Sequence, residues 1–273
     1  MKRSIIYIFL LVTVAESIAQ DSTRNSIQLS WGIGNIMRQD LTVSPFIHKD
    51  WSPVNVRLNY ERSKKLYHQV TLKFSLYSPK PTESYEFTSF YNGTSSTIPH
   101  SFKMIDIDYS IGKKWIIKKN WSFAAGGKSR NFIYASDYYF GESGPSPMMI
   151  SFGMDVWGLI HYQLNSNHYL RSSISIPVFS YVYRNPYLTE NDSYHHIFYS
   201  HKGIKEFGNR IAAGELRSWG NAQRVDLNIH YSYIINKKYD VGLCYYYSMN
   251  LNQQPTKFTQ FENIFFLEGK IKF

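Results

Sequence analysis

Apolar and polar residues alternate strictly in ten separate runs of this chain. In one run Val70, Leu72, Phe74 and Leu76 occupy every second position, with polar residues between them. Successive side chains of a β-strand point to opposite faces, so a period of two predicts strands with one apolar face. The ten runs span residues 27–33, 54–60, 70–76, 105–111, 121–125, 152–162, 170–176, 225–233, 241–247 and 265–273.

The connections between these runs decide between a soluble sandwich and a barrel, because both show the same alternation. Short turns are expected near residues 62–65, 113–120, 164–167 and 236–238, and long loops near 36–52, 78–101, 131–148, 179–220 and 250–259. Short turns at one end and long loops at the other are typical of outer-membrane barrels. We therefore predict an all-β, transmembrane, antiparallel up-and-down β-barrel of about ten strands, or about twelve if the longest loop contains a further hairpin.

The first residues have the three parts of a secretory signal in order. Lys2 and Arg3 are basic, residues 5–14 are apolar, and Ser17-Ile18-Ala19 offers small residues for cleavage. The apolar segment is shorter than the roughly 20 residues that a membrane-spanning helix needs. We expect a signal peptide over residues 1–19 and a mature barrel over residues 20–273.

Composition narrows the class further. Aromatic residues make up 17% of the chain although its mean hydropathy is −0.35, which fits an apolar face spread over alternate positions and edged by aromatic girdles. The formal net charge is +10, with lysine pairs in the short turns, and neither a basic helix nor a zinc-ligand spacing accompanies them. We therefore expect no nucleic-acid partner. The single cysteine, Cys244, excludes an intrachain disulfide.

The last run ends the chain on an aromatic residue. Its apolar face consists of Phe265, Leu267, Gly269, Ile271 and Phe273. This pattern resembles the C-terminal signal by which the barrel-assembly machinery recognises bacterial outer-membrane proteins. The resemblance implies insertion into the outer membrane of a Gram-negative bacterium, with that machinery as a partner during biogenesis and membrane lipid as a partner afterwards. It implies nothing about activity.

The face opposite the apolar one is rich in charge. Lys73 and Lys128 are expected on either side of Asp106 and Asp108 on adjacent strands, and Asp155 is expected beside Arg171. We predict a paired network that fills a narrow lumen, because isolated buried charges are too costly; an ion or substrate path is the functional alternative. The predicted lumen residues are Arg57, Lys73, Asp106, Asp108, Lys128, Asp155, Arg171, Arg224, Asp226, Glu268 and Lys270.

Catalytic and metal sites have little support in the sequence. His195, His196 and His201 share the longest loop, but their spacing matches no standard metal motif, so we expect no metal site and no cofactor. The strand count agrees with that of the omptins, ten-stranded outer-membrane proteases that use Asp and His at the extracellular rim to activate water. His48 with Asp50 would be candidates for such a pair, as would Asp192 with His195. No local motif matches, and no catalytic residue is carried over.

The leading hypothesis is a non-enzymatic barrel that displays large loops for binding, adhesion or complex formation. It rests on the lack of a catalytic motif and on aromatic loops such as 84–92 and 134–140, since exposed aromatic residues are typical of contact surfaces with a protein partner. The alternatives are an outer-membrane enzyme, either an omptin-like protease or a lipid hydrolase, and a narrow channel.

Overall fold

The computed structural model describes residues 25–64, 66–80, 83–84, 86–89, 93–97, 99–118, 120–138, 147–185 and 203–273. The predicted signal peptide lies outside these residues, as do the metal candidates His195, His196 and His201 and the Asp192 half of a predicted rim pair. None of the helices within the described ranges has the length and hydropathy needed to cross a membrane.

Thirteen strands and one helix make up the described regular structure. In chain order they are β1 (Asn25–Asp40), β2 (Ser44–Ser63), β3 (Leu66–Tyr77), β4 (Glu86–Ser89), β5 (Gly93–Ser96), β6 (Ser101–Lys118), β7 (Trp121–Asp137), β8 (Met148–Gln163), β9 (His168–Arg184), α1 (Gly203–Ala212), β10 (Glu215–Ser218), β11 (Ala222–Ile234), β12 (Tyr239–Asn252) and β13 (Phe258–Lys272).

Ten of these strands form a closed antiparallel barrel. Each long strand pairs with the next long strand along the chain, and β13 pairs with β1 over fifteen register positions from Ser26↔Lys272 to Asp40↔Phe258. The closure leaves neither β1 nor β13 as a free edge. The predicted ten-stranded up-and-down barrel is confirmed, and each predicted run lies on its own barrel strand.

Four elements lie in the loops at the end opposite the chain termini, called here the loop end. Strands β4 and β5 form a small separate hairpin. Helix α1 and the short strand β10 occupy the loop between β9 and β11, where β10 pairs with β9 alone. The longest loop therefore contributes one extra strand at the barrel edge and no additional pair of barrel strands within the described residues.

The predicted long loops at 36–52 and 250–259 are wrong. Strands β1 and β2 continue past the apolar band and turn at residues 41–43, and β12 and β13 turn at residues 253–257. The register of β1 against β2 shifts between Gly32 and Gly34 and again between Arg38 and Asp40. The first irregularity reverses the inward parity of β2 between Ser52 and Asn55. β1 keeps its parity, but beyond Gly34 its inward face carries Ile36 and its outward face carries polar residues such as Asn35 and Gln39. The apolar alternation therefore breaks in the sequence although the strands continue.

The outward face carries the predicted apolar residues. Leu29, Val56, Ile107 and Leu267 are among the many large apolar side chains left exposed around the barrel wall. Near the termini an aromatic rim edges this surface, where Trp121 packs on Tyr162 with ring centroids 4.4 Å apart and Trp115 stacks on Phe123 at 5.7 Å. An apolar outer band with aromatic edges is the pattern of a lipid-facing barrel wall.

Inside the wall, a small residue leaves space that a large side chain from another strand fills. Gly34 faces inward, and a Cβ there would lie 2.5 Å from the hydroxyl of Tyr77. The freed space lets that hydroxyl donate to Glu262 across the barrel at 3.1 Å. Towards the loop end the lumen is packed with apolar and aromatic residues, including Phe102, Met104, Tyr138 and Phe258. The interior is thus a packed core over this part of its length.

Candidate functional site

The charged side chains that the alternation predicts to be lumenal converge inside the barrel. They come from strands on all sides of the wall, because every second residue of each strand points inward. All eleven predicted lumen residues take part in ion pairs there. Most of these ion pairs span strands that are distant in sequence.

Asp106 lies at the centre of this network. Its Oδ1 accepts from Arg224 Nη1 at 2.5 Å and from the Tyr134 hydroxyl at 3.3 Å, while its Oδ2 lies 3.2 Å from Lys73 Nζ. Lys73 also contacts Glu262 at 2.5 Å. Since these groups are almost fully excluded from solvent, each charge depends on its partners for the interactions that water would otherwise provide.

A second group of ion pairs surrounds Asp226. Arg130 and Lys128 approach its Oδ2 at 3.2 Å and 3.7 Å, and Lys128 also contacts Asp108 at 2.7 Å. Arg130 forms a short ion pair with Asp155. The neighbour predicted for Asp155 was wrong: cross-strand pairing puts Asp155 opposite Pro177 on β9, several residues along the strand from Arg171.

Arg171 lies nearer the termini. Its Nη1 contacts Glu61 at 2.5 Å, Lys270 approaches the same carboxylate at 3.4 Å, and Arg171 also donates to the Tyr67 hydroxyl. This cluster ties β2, β3, β9 and β13 together across the lumen. The partner of Arg171 is therefore across the barrel and not on the neighbouring strand.

A fourth cluster contains the single cysteine. His230 Nδ1 lies 2.9 Å from Glu268 Oε2, and its Nε2 lies 3.7 Å from Cys244 Sγ. Arg57 reaches in from the facing strand β2, with Nη2 3.1 Å from the sulfur and 2.6 Å from Glu268 Oε1. Sequence reasoning predicted Arg57 and Glu268 as lumenal but missed the histidine and the cysteine.

The network residues that the sequence analysis missed also lie at the inward positions of their strands. His230 has the inward parity of Arg224 and Asp226 on β11, Glu262 has that of Glu268 on β13, and Arg130 has that of Lys128 on β7. Extending the period-two pattern along each strand would have found them. What the pattern does not contain is the pairing across the lumen.

The network is balanced in charge. Among the described residues, seven basic and seven acidic side chains form it, with His230 in addition. The basic ones are Arg57, Lys73, Lys128, Arg130, Arg171, Arg224 and Lys270, and the acidic ones are Glu61, Asp106, Asp108, Asp155, Asp226, Glu262 and Glu268. Such a balance lets a low-dielectric interior hold many charges without a net field.

The network lines a cavity of about 60 Å³. Its wall includes Arg57, Lys73, Asp108, Arg171 and His230. A water needs about 10–15 Å³ of such space, so the cavity has room for roughly four to six waters. This is far less than a continuous pore requires.

A separate polar cluster closes the loop end. Arg184 on β9 forms a short ion pair with Asp40 at the tip of β1 and donates to the Thr256 carbonyl at 2.5 Å. The His48 ring packs edge-on against His100 and Tyr138, with centroids 5.1 Å and 5.2 Å away. These contacts pack the rim residues over the lumen.

His48 and Asp50, the rim pair predicted from the omptin comparison, form hydrogen bonds with different partners. His48 is buried, with Nε2 3.2 Å from Ser44 Oγ. The Asp50 carboxylate instead accepts from the backbone N–H of Ser78 at 2.6 Å.

Comparisons with known proteins support the fold and no family. No protein-family model matches the chain, and no curated protein matches its sequence. Among solved structures, the outer membrane protease OmpT from Escherichia coli matches with a TM-score of 0.56 and 7% identity, over 93% of this chain and 97% of that one. The translocator domain of the autotransporter NalP from Neisseria meningitidis gives a TM-score of 0.43 and 7% identity, over 99% and 95%. The match to OmpT, the one of these two with a TM-score above 0.5, shows that the chain shares the fold of that outer-membrane protein.

Proposed function

We propose that this chain is an integral protein of the bacterial outer membrane that binds a protein partner through its loop end and has a closed lumen. The outward apolar band and its aromatic edge support the membrane location. Short turns and both termini would then face the periplasm, and the loop end would face the exterior. Cell fractionation tests the location, since recovery of the mature chain in the soluble periplasm contradicts it.

The filled lumen argues against transport. Buried aromatic packing lies towards the loop end, and the ion-paired network fills the section nearer the termini. A ten-stranded barrel is only slightly wider than eight-stranded barrels, whose own side chains fill the interior. The function therefore belongs to the outer surface and not to a path through the barrel.

The observation that carries the binding proposal is a pair of exposed apolar surfaces at the loop end. On the β1–β2 hairpin, Phe46 and Ile47 are 66% and 55% exposed, and on the β10 side Leu216 and Trp219 are 70% and 55% exposed. Ile47 lies four residues beyond Trp51, about 10 Å further along the barrel axis at the usual strand rise and tilt. Phe46 and Ile47 therefore lie beyond the apolar band, where hydrocarbon cannot cover them, and exposed clusters of this kind mark protein contacts.

Of the predicted aromatic contact loop at 134–140, residues 139 and 140 lie outside the described residues, and the described part does not form an exposed contact surface. Tyr134 and Tyr138 have inward parity and are fully buried in the lumen. The predicted loop at 84–92 is only partly described, and its described residues include the β4–β5 hairpin. The exposed apolar residues lie instead on extended strands and on β10.

Site-specific photocrosslinking in intact cells tests the binding proposal. A benzophenone amino acid replaces Phe46 or Trp219, and Leu29 on the lipid-facing wall serves as the matched control position. We expect discrete protein adducts from Phe46 or Trp219 and none from Leu29, and the Ile47→Ser change should lower the Phe46 adduct several-fold. Fully assembled barrel without adducts at either loop-end position would refute the proposal.

A protease is the second candidate, and the observation in its favour is the likeness of the whole barrel to OmpT. At 7% identity this likeness concerns the fold alone. Incubation of the purified barrel with a mixed peptide library distinguishes the candidates. Specific cleavage that is lost in a His48→Ala variant would favour the protease over the binding protein.

A further inference from the structure

The thiol of Cys244 is enclosed by groups that stabilise its ionised form. His230 and Cys244 are directly opposite each other across β11 and β12, and both point into the lumen. The His230 ring lies between the sulfur and the Glu268 carboxylate, so that one ring nitrogen faces each of them. Arg57 contacts the sulfur from the opposite wall at 3.1 Å. A nucleophile, a base and an orienting carboxylate in this order are the parts of an activated nucleophile.

The same side chains could be taken for a metal site, since ligand atoms of His230, Cys244 and Glu268 all lie within 4.8 Å of one another. The guanidinium of Arg57 already contacts both Cys244 and Glu268, where a metal ion would have to bind. Arg57 Nη2 lies 3.1 Å from Cys244 Sγ and 2.6 Å from Glu268 Oε1. A divalent ion there would be repelled by the guanidinium, so the geometry favours a thiolate paired with an imidazolium over a metal thiolate.

The cluster also has space for a small reactant. Arg57 and His230 both line the water-sized cavity, so a small reactant in the cavity lies next to two members of the cluster. The Nε of Arg57 is buried and has no hydrogen-bond partner among the described residues. A buried donor of this kind costs free energy unless a small polar molecule in the cavity accepts its hydrogen bond.

We propose that Cys244 is a peroxide-reactive thiolate, held by Arg57 and protonically coupled to His230. The thiolate attacks one oxygen of hydrogen peroxide, a sulfur–oxygen bond forms, and the oxygen–oxygen bond breaks. The leaving hydroxide takes the proton of the His230 imidazolium and departs as water. Sulfur is oxidised by two electrons to the sulfenic acid, and the peroxide is reduced by the same two electrons.

The sequence and the size of the cavity determine what can happen to the sulfenic acid after it forms. Cys244 is the single cysteine of the sequence, so its sulfenic acid cannot close an intrachain disulfide. The cavity beside the cluster, about 60 Å³ in volume, has room for molecules of the size of water or peroxide and is too small for bulkier thiols. The sulfenic acid should therefore persist in the folded barrel long enough to be trapped.

Peroxide oxidation of the purified full-length barrel in detergent tests the proposal. Folded and urea-denatured wild type receive the same hydrogen peroxide at pH 7, and the sulfenic acid is quantified after denaturing the samples into a dimedone-type probe for mass spectrometry. About 3% of an ordinary cysteine is thiolate at this pH, so complete ionisation raises the rate up to about 30-fold. Lower intrinsic nucleophilicity reduces the expected gain of the folded form over the denatured form to about tenfold.

Two variants test whether His230 is responsible for the faster oxidation of the folded protein. His230→Gln removes the proton donor while keeping the side-chain size, and it should lower the rate of the folded protein about tenfold. His161→Gln, a change of another lumen-side histidine outside the cluster, should leave the rate unchanged. Gel mobility without heating confirms that each variant is folded. The comparison of folded with denatured wild type holds even if a variant fails to assemble.

Three results would overturn the proposal. A folded thiol that reacts no faster than the denatured one is an inert buried cysteine. Equal oxidation rates in the wild type and in folded His230→Gln would show that His230 takes no part in the reaction. A rate that rises only after treatment with a chelator assigns the cluster to a metal ion instead.

Discussion

Asp106 forms buried ion pairs with two cations of the lumen network, and its removal tests whether that network is dry. In Asp106→Ala, Arg224 and Lys73 each lose a carboxylate oxygen, at 2.5 Å and 3.2 Å. Both cations keep a second partner, because Lys73 still contacts Glu262 at 2.5 Å and Arg224 still lies 3.3 Å from Asp226. Breaking a buried pair typically costs about 3–5 kcal/mol, so the retained partners favour the lower end, about 3 kcal/mol.

Urea unfolding of the purified barrel in detergent or lipid measures this cost. With an m-value of about 2 kcal/mol per molar, a loss of about 3 kcal/mol lowers the midpoint by about 1.5 M. The matched control is Asp137→Ala on the same hairpin, where Lys103 and Asp137 also lie 3.2 Å apart but are 56% and 28% exposed. An exposed pair of this kind contributes roughly 0–1 kcal/mol, so the control midpoint should move by less than about 0.5 M.

Two further variants separate charge from shape. Asp106→Asn keeps the size of the side chain and an acceptor for Arg224 but removes the negative charge, and it should cost less than Asp106→Ala. The double variant Lys73→Met with Asp106→Ala removes one charge of each sign, so its cost should be less than the sum of the two single changes. If Asp106→Ala unfolds at the wild-type midpoint, waters from the cavity solvate the freed cations and the network is not dry.

Three other measurements address the fold and the closed lumen. Gly34→Ala should lower stability by about 1–3 kcal/mol, because its Cβ displaces the Tyr77 hydroxyl, whereas Gly127→Ala, whose Cβ meets open space, should change little; equal effects in urea unfolding would contradict the packing argument. Planar bilayers containing the purified barrel should show no steady porin-like conductance, and large stable single-channel steps would instead identify a channel. Deletion of Phe273, whose backbone pairs with Asn25 at the barrel seam, should reduce heat-modifiable barrel and increase degraded protein in cells, while normal levels would count against an assembly role.

The strands and the membrane-facing wall were readable in the sequence because they depend on local geometry. Side chains alternate along any strand, so Val70, Leu72 and Phe74 face outward wherever β3 lies in the sheet. The same parity assigns Lys73 to the lumen. The rule fails at the ends of β1 and β2 for two reasons. An irregularity reverses the inward parity of β2 between Ser52 and Asn55. On β1 the parity holds, but beyond Gly34 an apolar residue, Ile36, faces inward and polar residues face outward, so this end looked like a loop in the sequence.

The ion pairs of Lys73 with Asp106 and of Lys128 with Asp108 join neighbouring strands, as the sequence predicted. The partners on opposite walls of the lumen were decided by the closed barrel alone. Arg224 meets Asp106 over 118 residues of sequence and Lys73 meets Glu262 over 189, because curvature and strand stagger bring opposite walls together. Neighbouring strands suggested Arg171 for Asp155, yet the structure pairs Arg171 with Glu61 across the barrel and Asp155 with Arg130. Parity in the sequence determines which face a residue occupies, whereas the contacts of that residue depend on where closure places every other strand.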